Sequence, residues 1–302
     1  MGPVPHREIF FGGSVHEYGW IIYILASLAV AALAYSFYRR SRLWKLGSRD
    51  GTFSDLRQKT KSFIATALID GFLHRKILRD VYPGTIHALI FWGAMFLLLA
   101  TTLDPISYYI VHFMEGNTYL AISFLADLGG LMILVGLVMV VIRRYIQKPD
   151  RLDNIPADAI GLALIFILVL SGFILEGLRM QVTAAASTDP IMEWARWSFL
   201  GFGFAKAFEG GSNLMGWYEG IWWVHSILVV GAIFYIAIAF PKLTHMLVSP
   251  INAFFRTTGP RGALRSIDLE QAETFGAASI QHFTFKDLLD LDACTQIGRA
   301  HV

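Results

Sequence analysis

The sequence predicts an all-α integral membrane protein of five spans, on three observations. Hydrophobic residues make up 55% of the 302 positions and charged residues 16%, a balance too apolar for a soluble domain of this size. Runs of about 20 apolar residues, the length that carries a helix across a hydrocarbon core of roughly 30 Å, recur five times. Lysine and arginine fall in alternate connections between those runs, as the positive-inside rule requires. The formal net charge of +2 gives no reason to expect nucleic acid; membrane lipid is the expected surrounding.

Residues 1–18 form an outer N-terminal segment before the first run, Gly19 to Tyr38. That run is too long for a cleaved signal, has no basic n-region and meets no small-residue cleavage site before Arg39 and Arg40, so it is expected to stay as an anchor. The next connection holds Arg39, Arg40, Arg42, Lys45, Arg49, Arg57, Lys59, Lys61, Arg75, Lys76 and Arg79. It is therefore cytoplasmic and the N-terminus lies outside. Within it, Ser54 is expected to cap an amphipathic helix whose apolar positions Phe63, Ile64, Ala67, Leu68 and Phe72 recur at helical spacing.

The second span, Thr85 to Leu103, leads to a connection, Asp104 to Ile122, with no basic residue. The third, Ser123 to Ile142, is followed by Arg143, Arg144, Lys148 and Arg151, and the fourth runs from Ala157 to Leu175. A long outer connection from Glu176 to Gly220 includes Arg179, Arg196 and Lys206 and is the one looser case of the alternation, since long loops obey the positive-inside rule weakly. Its Pro190–Phe208 stretch mixes Trp194, Trp197, Phe199, Phe202 and Phe204 with Glu193, Arg196 and Lys206, which suits an interfacial helix better than a sixth span. The fifth span, Ile221 to Phe240, returns the chain to the cytoplasm, where Lys242, Arg256, Arg261 and Arg265 follow. Residues 19–248 thus form the membrane domain. Residues 249–296 form a short cytoplasmic C-terminal segment with helices of its own expected between Ser266 and Asp292. Residues Ile297 to Val302 read as the translation of ATC GGA AGA GCA CAC GTC, which resembles a common sequencing-adapter stretch, so they and His301 are excluded from functional reasoning. The single cysteine, Cys294, rules out an intrachain disulfide.

Ionisable groups are expensive in hydrocarbon and demand a partner or a purpose. His87 lies one turn inside the second span, His74 precedes it on the cytoplasmic side, His225 sits early in the fifth span and His245 lies just past its inner end. The second span runs outward and the fifth inward, so His74 and His245 share one depth and His87 and His225 another. Neutral imidazole is a good iron ligand, and helical bundles build cofactor sites from facing helices. Two stacked haems fit: an inner one on His74 and His245, an outer one on His87 and His225. Helical phase opposes this, because the members of each same-helix pair, 13 and 20 residues apart, are about 140° and 160° apart around a straight helix. A helix break at Pro83 and another at Pro241 would remove the objection.

Other polar residues are less specific. His6, His16, His112 and His282 read as surface residues. Asp127 is open to two readings, a proton relay from a quinol or a residue near the favourable N-terminal end of its helix. Glu176 and Arg179 have the spacing of a structural pair. Trp222 and Trp223 fit an aromatic belt or the border of a quinone pocket.

The stretch Tyr82-Pro83-Gly84-Thr85-Ile86-His87-Ala88-Leu89-Ile90-Phe91-Trp92-Gly93, with Trp222-Trp223-Val224-His225 and Pro241-Lys242-Leu243-Thr244-His245-Met246, resembles the cytochrome b (gamma) subunit of respiratory nitrate reductase. More closely, nearly the whole chain looks like the larger proteins that fuse such a domain to a cytoplasmic iron–sulfur module related to heterodisulfide reductase. The resemblance implies two haems b, with ligand roles for His74, His87, His225 and His245. It further implies menaquinone or ubiquinone as substrate, electron transfer to or from a cytoplasmic iron–sulfur protein or electron-transfer flavoprotein, and a bacterial or archaeal cytoplasmic membrane. The segment Leu288-Leu289-Asp290-Leu291-Asp292-Ala293-Cys294-Thr295 is similar to the entry of the fused module, but Ile297 stands where its second cysteine is expected. A four-iron cluster needs four thiolates, so Cys294 is a stranded first ligand and a 4Fe–4S centre belongs only to an intact longer protein. The rival from another class is a haem-free transporter or scaffold. It requires a midplane substrate site between interrupted helices, and the sequence offers none.

Overall fold

The structure, a computed structural model, describes residues 3–8, 11–49, 52–150, 152, 155–239, 241–256, 276 and 278–294. The adapter-like Ile297–Val302 with His301, the basic residues Arg151, Arg261 and Arg265, and the beginning of the expected C-terminal segment at Ser266 lie outside them. Among the described residues there is no strand, only isolated bridges pairing His6 with Glu115 and Ser48 with Thr284.

Five helices are long and apolar enough to cross a membrane: α2 (Ile21–Trp44), α4 (Val81–Tyr109), α5 (Gly116–Val141), α6 (Pro156–Ala186) and α9 (Leu214–Ile238). A π-helical stretch, Ile142–Gln147, prolongs α5. The shortest, α2, has 24 residues and runs about 36 Å. The helices outrun most of the apolar runs that announce them, because each added residue gains an intrahelical hydrogen bond whether or not its side chain is apolar. The other helices are short: α1 (Gly13–Tyr18), α3 (Leu56–Thr66), α7 (Ile191–Trp194), α8 (Phe199–Ala207), α10 (His245–Phe254) and α11 (Phe285–Ala293). The aromatic Pro190–Phe208 stretch is divided between α7, a 3-10 turn at Ala195–Trp197 and α8. The nine residues of α8 reach only about 14 Å, so no sixth span arises.

The chain divides into two compact units, the first made of Met1–Ala29 and Asp80–Ile233, the second of Val30–Arg79 and Phe234–Val302. In the first, α4 and α5 pack closely because glycines face each other. A Cβ on Gly93 would lie 2.5 Å from the Gly129 carbonyl oxygen, one on Gly129 would lie 2.8 Å from that of Gly93, and Gly136 faces the Ile90 side chain. Lipid tails are as apolar as leucine, so close van der Waals approach between small residues is what holds such a pair. Gly177 does the same for α6 against Phe204 of α8. Asp127 does not serve the N-terminus of its own helix, being its twelfth residue. Its buried carboxylate accepts the backbone N–H of Leu200, and that of Gly201 at 3.3 Å. It thereby satisfies unpaired donors at the start of α8, the orphan groups every helix N-terminus carries.

The N-terminal segment is fastened to the same unit. The Gly116 N–H donates to the Pro5 carbonyl at 2.7 Å, and Arg7 lies 3.1 Å from Asp104 and 3.6 Å from Glu176. Glu176 also pairs with Arg179 at 2.7 Å, the structural partnership its spacing suggested. Val15 of α1, Leu178 and Val182 of α6 and Tyr218 of α9 close a small core nearby.

In the second unit, Trp44 at the end of α2 packs with Val248 of α10 and with Phe285 and Leu289 of α11. Thr284 and Asp287 form a capping box at the start of α11, and at its other end Asp292 accepts from Trp44 Nε1 at 3.0 Å and pairs with Arg40. Helix α3 packs on α10, with Phe63 and Phe254 rings 5.7 Å apart. Ser54 is not its N-cap. That position is Asp55, at φ +52°, without a side-chain cap, because the first turn closes on the Asp55 carbonyl through the Lys59 N–H at 3.0 Å.

Candidate functional site

Each unit contains two of the four histidines, His87 and His225 in the first and His74 and His245 in the second. Neither same-helix pair lies on one continuous helix. The chain between His74 and His87 is interrupted by a left-handed residue, His74 itself at φ +54°, and by a 3-10 turn at Ile77–Arg79 before α4 begins at Val81. The break is thus not made by Pro83. That proline sits in the first turn of α4, where its missing N–H deprives no intrahelical bond. Between His225 and His245 the break falls where the second proline placed it: α9 ends at Ile238 and a 3-10 turn, Pro241–Thr244, precedes α10. The straight-helix phase objection therefore applies to neither pair.

His74 is 1% exposed. A π-helical turn, Ala67–Phe72, delivers the chain to it, the Arg75 N–H reaches back to the Ile69 carbonyl at 3.2 Å, and Lys76 and Arg75 reach Asp70 at 2.6 and 3.1 Å. The hydrogen bond from Lys76, reinforced by the charges of Lys76 and Arg75, holds the Asp70 carboxyl below the usual carboxylate range. His74 Nδ1 lies 2.8 Å from the Phe72 carbonyl oxygen. His245 opens α10, with Nδ1 2.6 Å from the Lys242 carbonyl oxygen. A carbonyl only accepts, so at both rings Nδ1 carries the proton and, in the neutral ring, Nε2 carries the lone pair. That is the tautomer in which a histidine ligates iron through Nε2 while the other nitrogen is anchored.

In the first unit, His87 is the seventh residue of α4 and stacks on Phe91, with centroids 6.3 Å apart at 14°. His225, in the middle of α9, has Nδ1 2.9 Å from Ser171 Oγ of α6. A Cβ on Gly172 would lie 3.5 Å from its Cε1, so the Nδ1–Cε1 edge of the ring rests on α6.

The remaining candidates are placed elsewhere. His16, His112 and His282 are exposed, while His6 Nδ1 lies 3.0 Å from the Val4 carbonyl oxygen and its ring 5.8 Å from that of Trp194. Trp222 and Trp223 meet edge to face, and Trp223 Nε1 donates to Ser14 Oγ at 3.3 Å. Cys294 is exposed at the end of α11. Among the described residues no three His, Cys, Asp or Glu side chains gather into a metal-ion set.

The chain is similar to two oxidoreductases. It is 32% identical over 302 residues to the "EtfAB:quinone oxidoreductase" of Syntrophomonas wolfei subsp. wolfei (strain DSM 2245B / Goettingen), an alignment covering 98% of this chain and 41% of that protein. It is 27% identical over 289 residues to the "Probable iron-sulfur-binding oxidoreductase FadF" of Bacillus subtilis (strain 168), covering 91% of this chain and 38% of the relative. The chain thus spans about two fifths of the length of these relatives. No protein-family model matches the chain, and no solved structure matches it.

Sequence reasoning did not single out Ser171 or the Arg7–Asp104 pair. Ser171 did leave a signal: it is the hydroxyl within the otherwise apolar run Leu168-Val169-Leu170-Ser171-Gly172, and such residues in spanning helices bond either their own backbone or a neighbouring helix. Arg7 left none, since a basic residue near a chain start pairs with whatever the fold brings to it.

Proposed function

We propose that this chain is the membrane electron-transfer part of a quinone-linked iron–sulfur oxidoreductase, holding two b-type haems, one on His87 and His225 and one on His74 and His245. The N-terminus lies outside and the His74–His245 pair lies toward the cytoplasm, where the iron–sulfur part of a longer protein or an electron-transfer flavoprotein exchanges electrons with it. The observation that carries the reading is the hydrogen bonding of the rings. Nδ1 of His74 and of His245 lies against a backbone carbonyl oxygen and Nδ1 of His225 against a serine hydroxyl, the outer-shell contact that metal-ligating histidines make. The names of the two similar oxidoreductases, one acting on quinone and one binding iron–sulfur, support the redox class.

Haem iron, when bound, supplies one-electron chemistry. The chain's own contribution is to fix the tautomers of His74, His225 and His245 through the partners of their Nδ1 atoms. Cys294, at the end of the docked helix α11, is in this reading the first thiolate of the iron–sulfur part.

A visible spectrum of the purified, dithionite-reduced protein tests the proposal. A reduced b-type band at roughly two haems per chain is the expected result. A purified, folded protein with no such band would return the chain to the haem-free class of transporters and scaffolds.

A further inference from the structure

We infer that Ser171 is a positioning residue for His225 that sets the potential of the haem carried by His87 and His225; this rests on the haem reading above. Ser171 Oγ has two polar neighbours, the Leu168 carbonyl oxygen at 3.1 Å and His225 Nδ1 at 2.9 Å. A hydroxyl has one proton to give. The carbonyl can only accept, so the Ser171 proton goes to Leu168 and the Oγ lone pair faces Nδ1. Nδ1 must then carry its own proton and donate it to Oγ, which leaves the lone pair of the neutral ring on Nε2. The chain of donors runs from His225 Nδ1–H to Ser171 Oγ–H to the Leu168 carbonyl, every group is satisfied, and the one nitrogen able to bind iron is Nε2. With Gly172 presenting only hydrogen to the Cε1 edge, α6 fixes both the tautomer and the rotation of the ring.

A histidine that donates from Nδ1 to an oxygen is a more basic ligand. A more basic ligand stabilises ferric over ferrous iron and holds the potential down. Removing the acceptor therefore raises the potential of this haem and leaves the other alone, because His74 and His245 are anchored to main-chain oxygens.

The test is a spectroelectrochemical titration of the membrane protein as wild type, Ser171→Ala and Ser171→Thr. In Ser171→Ala one of two components is expected to move up by about 59 mV, a tenfold change in its Fe(II)/Fe(III) ratio for a one-electron couple, with the second component unmoved. Ser171→Thr, which keeps a hydroxyl able to bond the same carbonyl, is expected to titrate as wild type. An Ala variant with both components unmoved overturns the assignment while leaving the haem reading intact. If the Ala variant does not take up haem at that site, the Thr variant decides: a wild-type potential supports the assignment and an upward shift overturns it. Absence of any haem band in the wild type would overturn both, and so is distinguishable from either.

Discussion

In the unit formed by Met1–Ala29 and Asp80–Ile233, the two candidate ligands lie inside long apolar helices. In the unit formed by Val30–Arg79 and Phe234–Val302, both lie where the helix is broken, His74 in a left-handed turn and His245 at the first residue of α10. The anchoring differs in the same way. His225 is held by a side chain 54 positions away on another helix, whereas His74 and His245 are held by carbonyls two and three residues before them. A regular helix has already committed its interior carbonyls to its own N–H groups, so a ring inside one finds its acceptor on a neighbouring helix. A ring at a break finds a carbonyl close by in sequence. The anchor of His225 thus depends on tertiary packing, and those of His74 and His245 on local backbone.

This contrast can be broken or sharpened by experiment, beginning with the largest effect. His225→Ala and His87→Ala should each remove one haem, and His74→Ala and His245→Ala the other, each leaving roughly half of the reduced b-type absorbance. A variant from each pair combined should leave none; the haem-to-protein ratio by reduced-minus-oxidised spectra decides, and retention of full absorbance in any single variant would sink its ligand assignment. Gly93→Leu should force α4 and α5 apart and lower stability by about 3 kcal/mol. Gly231→Leu, at a position with open space around it, should change little; detergent unfolding curves of the two variants provide the comparison.

Asp127→Ala should leave the first donors of α8 without their acceptor and lose about 2 kcal/mol, read as a lower unfolding midpoint together with faster hydrogen exchange at Leu200 and Gly201. In the other unit, Asp292→Ala removes the partner of both Arg40 and Trp44 Nε1 and should weaken the seat of α11 by about 1 kcal/mol, visible as faster proteolysis at that helix with an unchanged haem spectrum. The smallest effect is the sharpest discriminator. Lys242→Ala should leave both haem potentials in place, because the acceptor for His245 is the main-chain oxygen of residue 242 and survives the substitution. A shift comparable with that of Ser171→Ala would erase the distinction between a tertiary and a local anchor.

The five spanning helices were legible in the sequence because hydrocarbon thickness imposes a run length that few other constraints produce. Their termini were less so: α4 continues to Tyr109 and α6 to Ala186, beyond the apolar runs, since hydropathy ends where backbone hydrogen bonding does not. The four histidines stood out as polar groups in or beside hydrocarbon. The helix breaks between them were expected at the prolines. One lies there, before α10, and the other lies upstream of Pro83, at a histidine in a left-handed conformation that no residue-type rule anticipates. Asp127 was visible as a misplaced charge, but the helix it caps begins 72 residues later in the chain, at Phe199, and sequence distance carries no information about such a partner.

By itself, the sequence determined the number of apolar helices and their order, because those follow from the length of apolar runs and from the cost of polar groups in lipid. Only the tertiary structure decided which atoms face one another: that Gly93 meets Gly129, that Asp127 reaches α8, and that Ser171 lies beside His225. Those contacts depend on the rotation and spacing of neighbouring helices, which are set by the packing of small residues between them.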